Sequence, residues 1–266
     1  MSTKRTGKTM YFVALMVMTV VALLVSSVPV YASEMDDRIE STAGKSFVFK
    51  TYLKDDDIKI QSSDGVVTLT GTVAEEMNRA LAQETVASLP GVKSVDNRLE
   101  IKGVRAAAYS DAWLSTKVKA TLMFHRNVSS YQTRVSAKNG ILTLRGKASS
   151  QAQKELTTEY ARDVEDVKSV INKMTVAKTA VKPGETMGEK IGDIGESVDD
   201  ASITALVKMT LLYHRSTIGR TTKVETNDGA VTLSGKAKNA PEKDLATKFV
   251  RDVHGVKSVT NQMTIE

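Results

Sequence analysis

Apolar positions along the chain follow one pattern that occurs three times. Leu114, Val118 and Leu122 recur four residues apart, one stripe of a helix. Thr133 and Val135 then alternate with polar residues, a turn follows, and Leu142 and Leu144 resume the alternation, as the two strands of a hairpin do. Leu156, Tyr160, Ala161 and Val164 form a second helical stripe, and a last strand turns Val170, Met174 and Val176 inward. The same series starts from Ile39, Ala43 and Phe47, and again from Ile203, Val207 and Leu211. Residues 36–101, 111–176 and 200–265 align without a gap, at offsets of 75 and 89.

The turns between the first two strands read Asp64-Gly65, Asn139-Gly140 and Asp228-Gly229. A type I′ hairpin needs positive φ at both central residues, which these pairs tolerate. Gly71, Gly146 and Gly235 close the second strand, where the backbone either bends sharply or is closely approached. Asn97, Asn172 and Asn261 have inward parity on the last strand, which predicts an asparagine satisfying backbone groups. The predicted fold class is α+β: three tandem αββαβ domains, each a three-stranded sheet with two helices on one face. A unit of about 66 residues is close to the lower limit for independent stability, so the copies are expected to dock. The short connection 102–110 predicts that domains 1 and 2 are close neighbours. Linker 177–199 contains Pro183-Gly184 and four glycines, which predicts that domain 3 is the more mobile.

The first 32 residues have another character. Lys4, Arg5 and Lys8 precede an uncharged apolar run, 11–25, and Val30-Tyr31-Ala32 offers small or modest residues at a cleavage junction. This is the layout of a cleavable secretory signal peptide, residues 1–32, with an uncleaved anchor as the alternative. Its loss takes three positive charges from a formal net charge of +6. The chain has no cysteine, so disulfides, thiolate metal sites and cysteine nucleophiles are excluded.

The order αββαβ, the Asp-Gly or Asn-Gly hairpin, the glycine ending strand two and the Gly-Val-x-x-Val-x-Asn stretch before the last strand together resemble the BON domain. The residues carrying the match are Asp228, Gly229, Val231, Leu233, Gly235, Gly255, Val256, Val259 and Asn261, with their counterparts upstream. Signal peptide plus tandem BON domains is similar to the osmotically inducible periplasmic proteins, which typically carry two such domains rather than three. The resemblance implies a periplasmic protein, soluble or membrane-associated, that attaches to phospholipid headgroups and protects the envelope under osmotic stress. A chaperone-like or scaffold protein binding other envelope proteins is the alternative. No nucleic-acid partner is expected.

No phosphate loop, zinc-protease or serine-hydrolase motif is present, and no titratable constellation recurs in all three copies. The reading is therefore non-enzymatic, with no catalytic residue, cofactor or metal site. His125-Arg126 and His214-Arg215 are read as cations at helix C-termini, where the dipole favours them. His254 is read as an exposed turn residue, and Asp55 to Asp57 as a solvated acidic loop. Charge divides the copies. Domain 1 has 8 basic and 12 acidic residues, domain 2 has 11 and 6, and domain 3 has 10 and 6. Lys59, Arg134 and Lys223 share an outward position of strand one, Lys93, Lys168 and Lys257 a position at the start of strand three, and Lys173 follows. If the helices cover one sheet face, these cations share the open one, although an open sheet face must be polar in any case. The candidate headgroup-binding residues are Arg134, Lys168, Lys173, Lys223 and Lys257, with Trp113 and Lys117 on the first helix of domain 2. Trp113 suits a membrane interface, or packing on a neighbouring unit.

Overall fold

The computed structural model describes residues 29–102, 110–130, 132–176, 198–217 and 221–266. Most of the predicted signal peptide and of linker 177–199 lies outside these residues. Domain 1 contains helices α1 (Pro29–Lys45) and α2 (Phe47–Thr51), strands β1 (Asp57–Ser63) and β2 (Val66–Val73), helix α3 (Glu76–Ala87) and strand β3 (Ser94–Ile101). Domain 2 contains α4 (Asp111–Phe124), β4 (Thr133–Lys138), β5 (Ile141–Ala148), α5 (Gln151–Asp163), β6 (Ser169–Asn172) and β7 (Thr175–Val176). Domain 3 contains α6 (Asp200–Tyr213), β8 (Lys223–Asn227), β9 (Ala230–Ser234), β10 (Lys236–Ala237), α7 (Ala240–Arg251), β11 (Ser258–Asn261) and β12 (Thr264–Ile265). This is the α+β repeat expected from the sequence.

In each copy the second strand is central. β2 pairs antiparallel with β1 and parallel with β3, because α3 carries the chain back to the end from which β2 started. β5 stands between β4 and β6 in the same way, and β9 between β8 and β11. The hairpin turns are left-handed as predicted: Asn139 has φ 52° and Gly140 φ 80°. An aspartate at the head of the first helix holds each turn. Asp111 accepts from the amides of Asn139 (2.7 Å) and Gly140 (3.0 Å), and Asp200 from those of Asp228 (2.7 Å) and Gly229 (2.8 Å). Asp36 does the same and also accepts from the Ser62 hydroxyl (2.5 Å). The Gly140 and Asn139 amides hold the Asp111 carboxyl below the usual carboxylate range. Asn172 fastens the other end. Its amide donates to Lys154 O and Thr158 Oγ1 on α5, and its oxygen accepts from Met174 N, where the last strand breaks into β6 and β7. Asn97 and Asn261 make the equivalent bonds, as their inward parity predicts.

The docking of the copies departs from the linker-based expectation: domain 3 is the hub. From Ala201 to Val207 every residue of α6 is buried, because domain 1 packs on one side and domain 2 on another. Asp199 accepts from Ser202 N (2.9 Å), capping α6, and also from Phe47 N (2.8 Å), capping α2 of domain 1. Ser202 Oγ takes Val48 N (3.0 Å), and Lys208 pairs with Glu84 across the same seam (3.1 Å). Domains 1 and 3 thus share one continuous apolar core, joined by Phe124 of domain 2. Domain 2 has its own core, entered by Phe249 of domain 3. Domain 1 also touches domain 2, through the Tyr52 hydroxyl on Met123 O (3.2 Å).

Two predictions follow from this geometry. A Cβ on Gly146, at φ 137°, would stand 1.7 Å from Gln132 O, so Gly146→Ala should destabilise the protein by at least about 2 kcal/mol in denaturant titration. Asp199→Ala uncaps α6 and strips the Phe47 amide of its acceptor, with Ser46 still capping α2 at Phe49 N, and should cost about 2 kcal/mol. Ser110→Ala removes the single cap on Trp113 N and should cost about half as much.

Candidate functional site

Alternation along β4, β5 and β6 turns Val135, Leu142, Leu144 and Val170 toward the helices and leaves the other parity open. Arg134 lies directly opposite Arg145 in the β4–β5 register. Lys173 continues the same rung one step beyond the Leu144–Asn172 pair, its amide donating to Leu144 O (2.8 Å). Three exposed cations therefore stand side by side across three strands. Directly opposed side chains on a sheet have Cβ atoms about 5 Å apart, and like charges there repel. The corresponding rung of domain 1 is Lys59, Thr70 and Arg98, with Arg98 neutralised by Asp96. In domain 3 it starts with Lys223 opposite Ser234, and Lys223 is paired with Glu225 at 2.6 Å. Among the described residues, no acidic side chain stands within ion-pair distance of Arg134, Arg145 or Lys173. A groove of about 430 Å³ runs beside this rung, lined by Lys119, Met123, Ser130, Arg134 and Arg145 among others. On the same face Ile171, opposite Thr143 on the next outward rung, and Ile141, opposite Lys138 and Ser169 one rung beyond, are 47% and 40% exposed, unusually so for large apolar side chains.

Lys168 and Lys257 occupy a different place. They precede their strands and lie at the hairpin end, with amides on Gly140 O (2.9 Å) and Gly229 O (2.8 Å) and stems packed over those glycines. Both remain exposed, but Lys168 stands near Asp111 rather than among the cations of the open face. Lys117 is not available to a headgroup. It is 4% exposed, its ammonium on Glu165 (3.1 Å) and over the rings of Trp113 and Tyr213. The reason is the docking of α4 against α6, which the repeat alignment does not contain. Trp113 is half-buried on the same seam.

The histidine readings are also corrected. His125 and His214 are 1% exposed and face each other across the domain 2–domain 3 seam rather than solvent. His254 is half-buried, and burial pushes its imidazole down to about 4. Asp56, in the acidic loop, is occupied with Ala74 N and the Asn78 amide (both 2.7 Å).

The BON domain model matches residues 35–103, 110–178 and 199–266, nearly the whole of the three repeats. The chain belongs to the BON domain family. It is 31% identical over 206 residues to Osmotically-inducible protein Y of Escherichia coli, covering 77% of this chain and 96% of that protein. It is 32% identical over 125 residues to the 21 kDa hemolysin of Actinobacillus pleuropneumoniae, covering 47% and 58% respectively. Among solved structures, the C-terminal domain of CdsD, the structural protein of the Type III secretion system of Chlamydia trachomatis, aligns at 14% identity. That alignment covers 82% of this chain and 95% of that one, with a TM-score of 0.23. The described residues contain no helix long and apolar enough to cross a membrane.

Within this BON protein the unpaired rung sets the second domain apart from its neighbours. Arg145 completes it, and the sequence pattern overlooked it because its counterparts, Thr70 and Ser234, are neutral. Relieving the repulsion should stabilise the fold. Arg145→Thr is expected to raise stability by up to about 0.5 kcal/mol, with a larger gain at 20 mM than at 500 mM salt in thermal melts.

Proposed function

We propose that this BON protein acts in the cell envelope under osmotic stress and holds anionic phospholipid headgroups on the open sheet face of its second domain. The observation that carries the reading is the rung Arg134, Arg145 and Lys173, cations kept together without acidic partners, beside the exposed Ile141 and Ile171. A membrane surface supplies what that face lacks: phosphate charge for the three cations and an apolar boundary for the two isoleucines. Arginine suits phosphate because its planar fork donates two parallel hydrogen bonds. The signal-like N-terminus supports an exported, periplasmic location, and the likeness to Osmotically-inducible protein Y supports the stress context. Lys223, already neutralised by Glu225, makes domain 3 the weaker contributor.

Liposome flotation tests the reading. Each cation near an anionic surface contributes roughly 1 kcal/mol, so replacing Arg134, Arg145 and Lys173 together by serine should weaken binding to phosphatidylglycerol vesicles about 100-fold. Lys223→Ser should change it by less than about threefold, and salt should weaken the wild type steeply. Binding that ignores the anionic lipid content, or a triple variant that floats like the wild type, would overturn the proposal. Arg145→Thr adds a sharper signature, since it should gain stability and lose binding together.

A further inference from the structure

A second group of titratable side chains is buried where domains 2 and 3 meet. The seam has an internal two-fold relation: a residue of domain 2 meets a residue of domain 3, and their counterparts 89 positions away meet in return. His125 bridges to Val253 and Val164 to His214. Arg126 N donates to Asp252 O and Arg215 N to Asp163 O, both at 2.9 Å. His125 stacks on Tyr160 (3.9 Å between centroids) and His214 on Phe249 (4.1 Å). On the pseudo-axis the two Nε2 atoms are 3.2 Å apart. Domain 1 has Lys50 at this position.

Counting protons shows how the seam is set. Three contacts lie in line: Asp252 to His125 Nδ1 (3.5 Å), Nε2 to Nε2 (3.2 Å), and His214 Nδ1 to Asp163 (3.0 Å). Each needs one proton, and two neutral imidazoles bring two. His214 Nδ1–H donates to Asp163 and His125 Nε2–H donates to His214, which leaves His125 Nδ1 bare and without a hydrogen-bond partner. The carboxylates are held by other groups. Asp252 accepts from the Tyr160 hydroxyl (2.7 Å) and the Asn127 amide, and Asp163 from the Ser216 hydroxyl. The other charges facing the pair are Arg126, on Val256 O, Arg215, on Val167 O, the neighbouring His254, and the Lys117–Glu165 ion pair at the edge of the seam. A third proton, on His125 Nδ1, would complete the contact to Asp252 but would place a charge between stacked rings with no access to water, and that burial is the larger effect; a fourth would set N–H against N–H at Nε2.

We propose that His125 and His214 form a proton-sensitive latch, which holds domain 2 against the joined body of domains 1 and 3 at neutral pH and releases it in acid. Burial pushes His125 down to about 4 against an ordinary value of 6.5, outweighing the attraction of Asp252. The docked form thus refuses a proton that the open form accepts. Docking has full strength above pH 6.5 and weakens about tenfold for each of the first units below it, roughly 150-fold by pH 4. Domain 2 can leave as a unit because its own core holds together, although leaving withdraws Phe124 from the core of domains 1 and 3 and Phe249 from its own.

The experiment is small-angle scattering of the full chain from pH 7.5 to pH 4, with far-ultraviolet circular dichroism on the same samples. The radius of gyration should rise between pH 6.5 and 4 while the helical signal persists. His125→Phe with His214→Phe keeps the ring stacking and removes the protons, so the double variant, made in a His254→Gln background to clear the other imidazole that burial holds low, should stay compact to pH 4. His254→Gln alone should still open, because the buried His125–His214 pair remains. Histidine resonances of the wild type provide a reading that needs no variant: in the compact form His125 should not titrate near pH 6.5. A wild type still compact at pH 4, a double variant that opens at the same pH, loss of helix in step with expansion, or normal titration of His125 in the compact form would each overturn the latch.

Discussion

A three-stranded sheet covered by two helices can enclose few side chains, and this constraint shapes the rest of the molecule. Each BON repeat closes its own hairpin with an aspartate clamp and ties its last strand to its second helix with an asparagine. Those local ties do not supply enough buried apolar surface at this length. The chain meets the shortage by docking. Domain 3 places α6 where both neighbours can cover it, and Ala201, Ala205 and Met209 are buried by contacts between copies rather than within one.

How much of this was legible in the sequence depends on which contacts repeat. Leu142 with Leu144, Asn139 with Gly140, Gly146 and Asn172 face the same local problem in every copy, so comparing copies exposed their roles. Contacts between copies have no such redundancy. Lys117 looked like a surface cation because its stripe was judged only against its own domain, and docking buried it. The linker suggested a loose third domain, yet α6 is apolar on nearly every side from Ile203 to Leu212, which is the mark of a helix buried all round. The histidines carried a similar signal. They occur in copies 2 and 3 and not in copy 1, as residues would that belong to a pair rather than to a unit. The aspartate clamp was missed because each aspartate stands 28 residues from the turn it holds.

The three copies have divided their electrostatic roles on one scaffold. On the same sheet rung Arg98 is paired with Asp96 in domain 1 and Lys223 with Glu225 in domain 3, while Arg134, Arg145 and Lys173 of domain 2 have no such partner among the described residues. Folding alone gives no reason to keep Arg134 opposite Arg145, since each neighbour shows a neutral residue accommodated there. Local repulsion kept where a neutral residue would serve is a familiar form of functional cost, and the proposed headgroup contact would account for it. The core of domain 2 is a cluster of its own, and among its described buried apolar residues Phe124 alone reaches into the shared core of the other two domains.

The double cap at Asp199 bears on the order in which the molecule can be completed. A polypeptide is made from its N-terminus, so domain 1 emerges long before residue 199 exists. Until then the amides of Phe47 and Val48 have neither Asp199 nor Ser202 to bond, and the apolar side of α3 has no α6 to cover it. The first repeat to be synthesised is therefore among the last to be finished, and a truncated chain ending after domain 2 would leave its N-terminal third exposed to holdases and proteases.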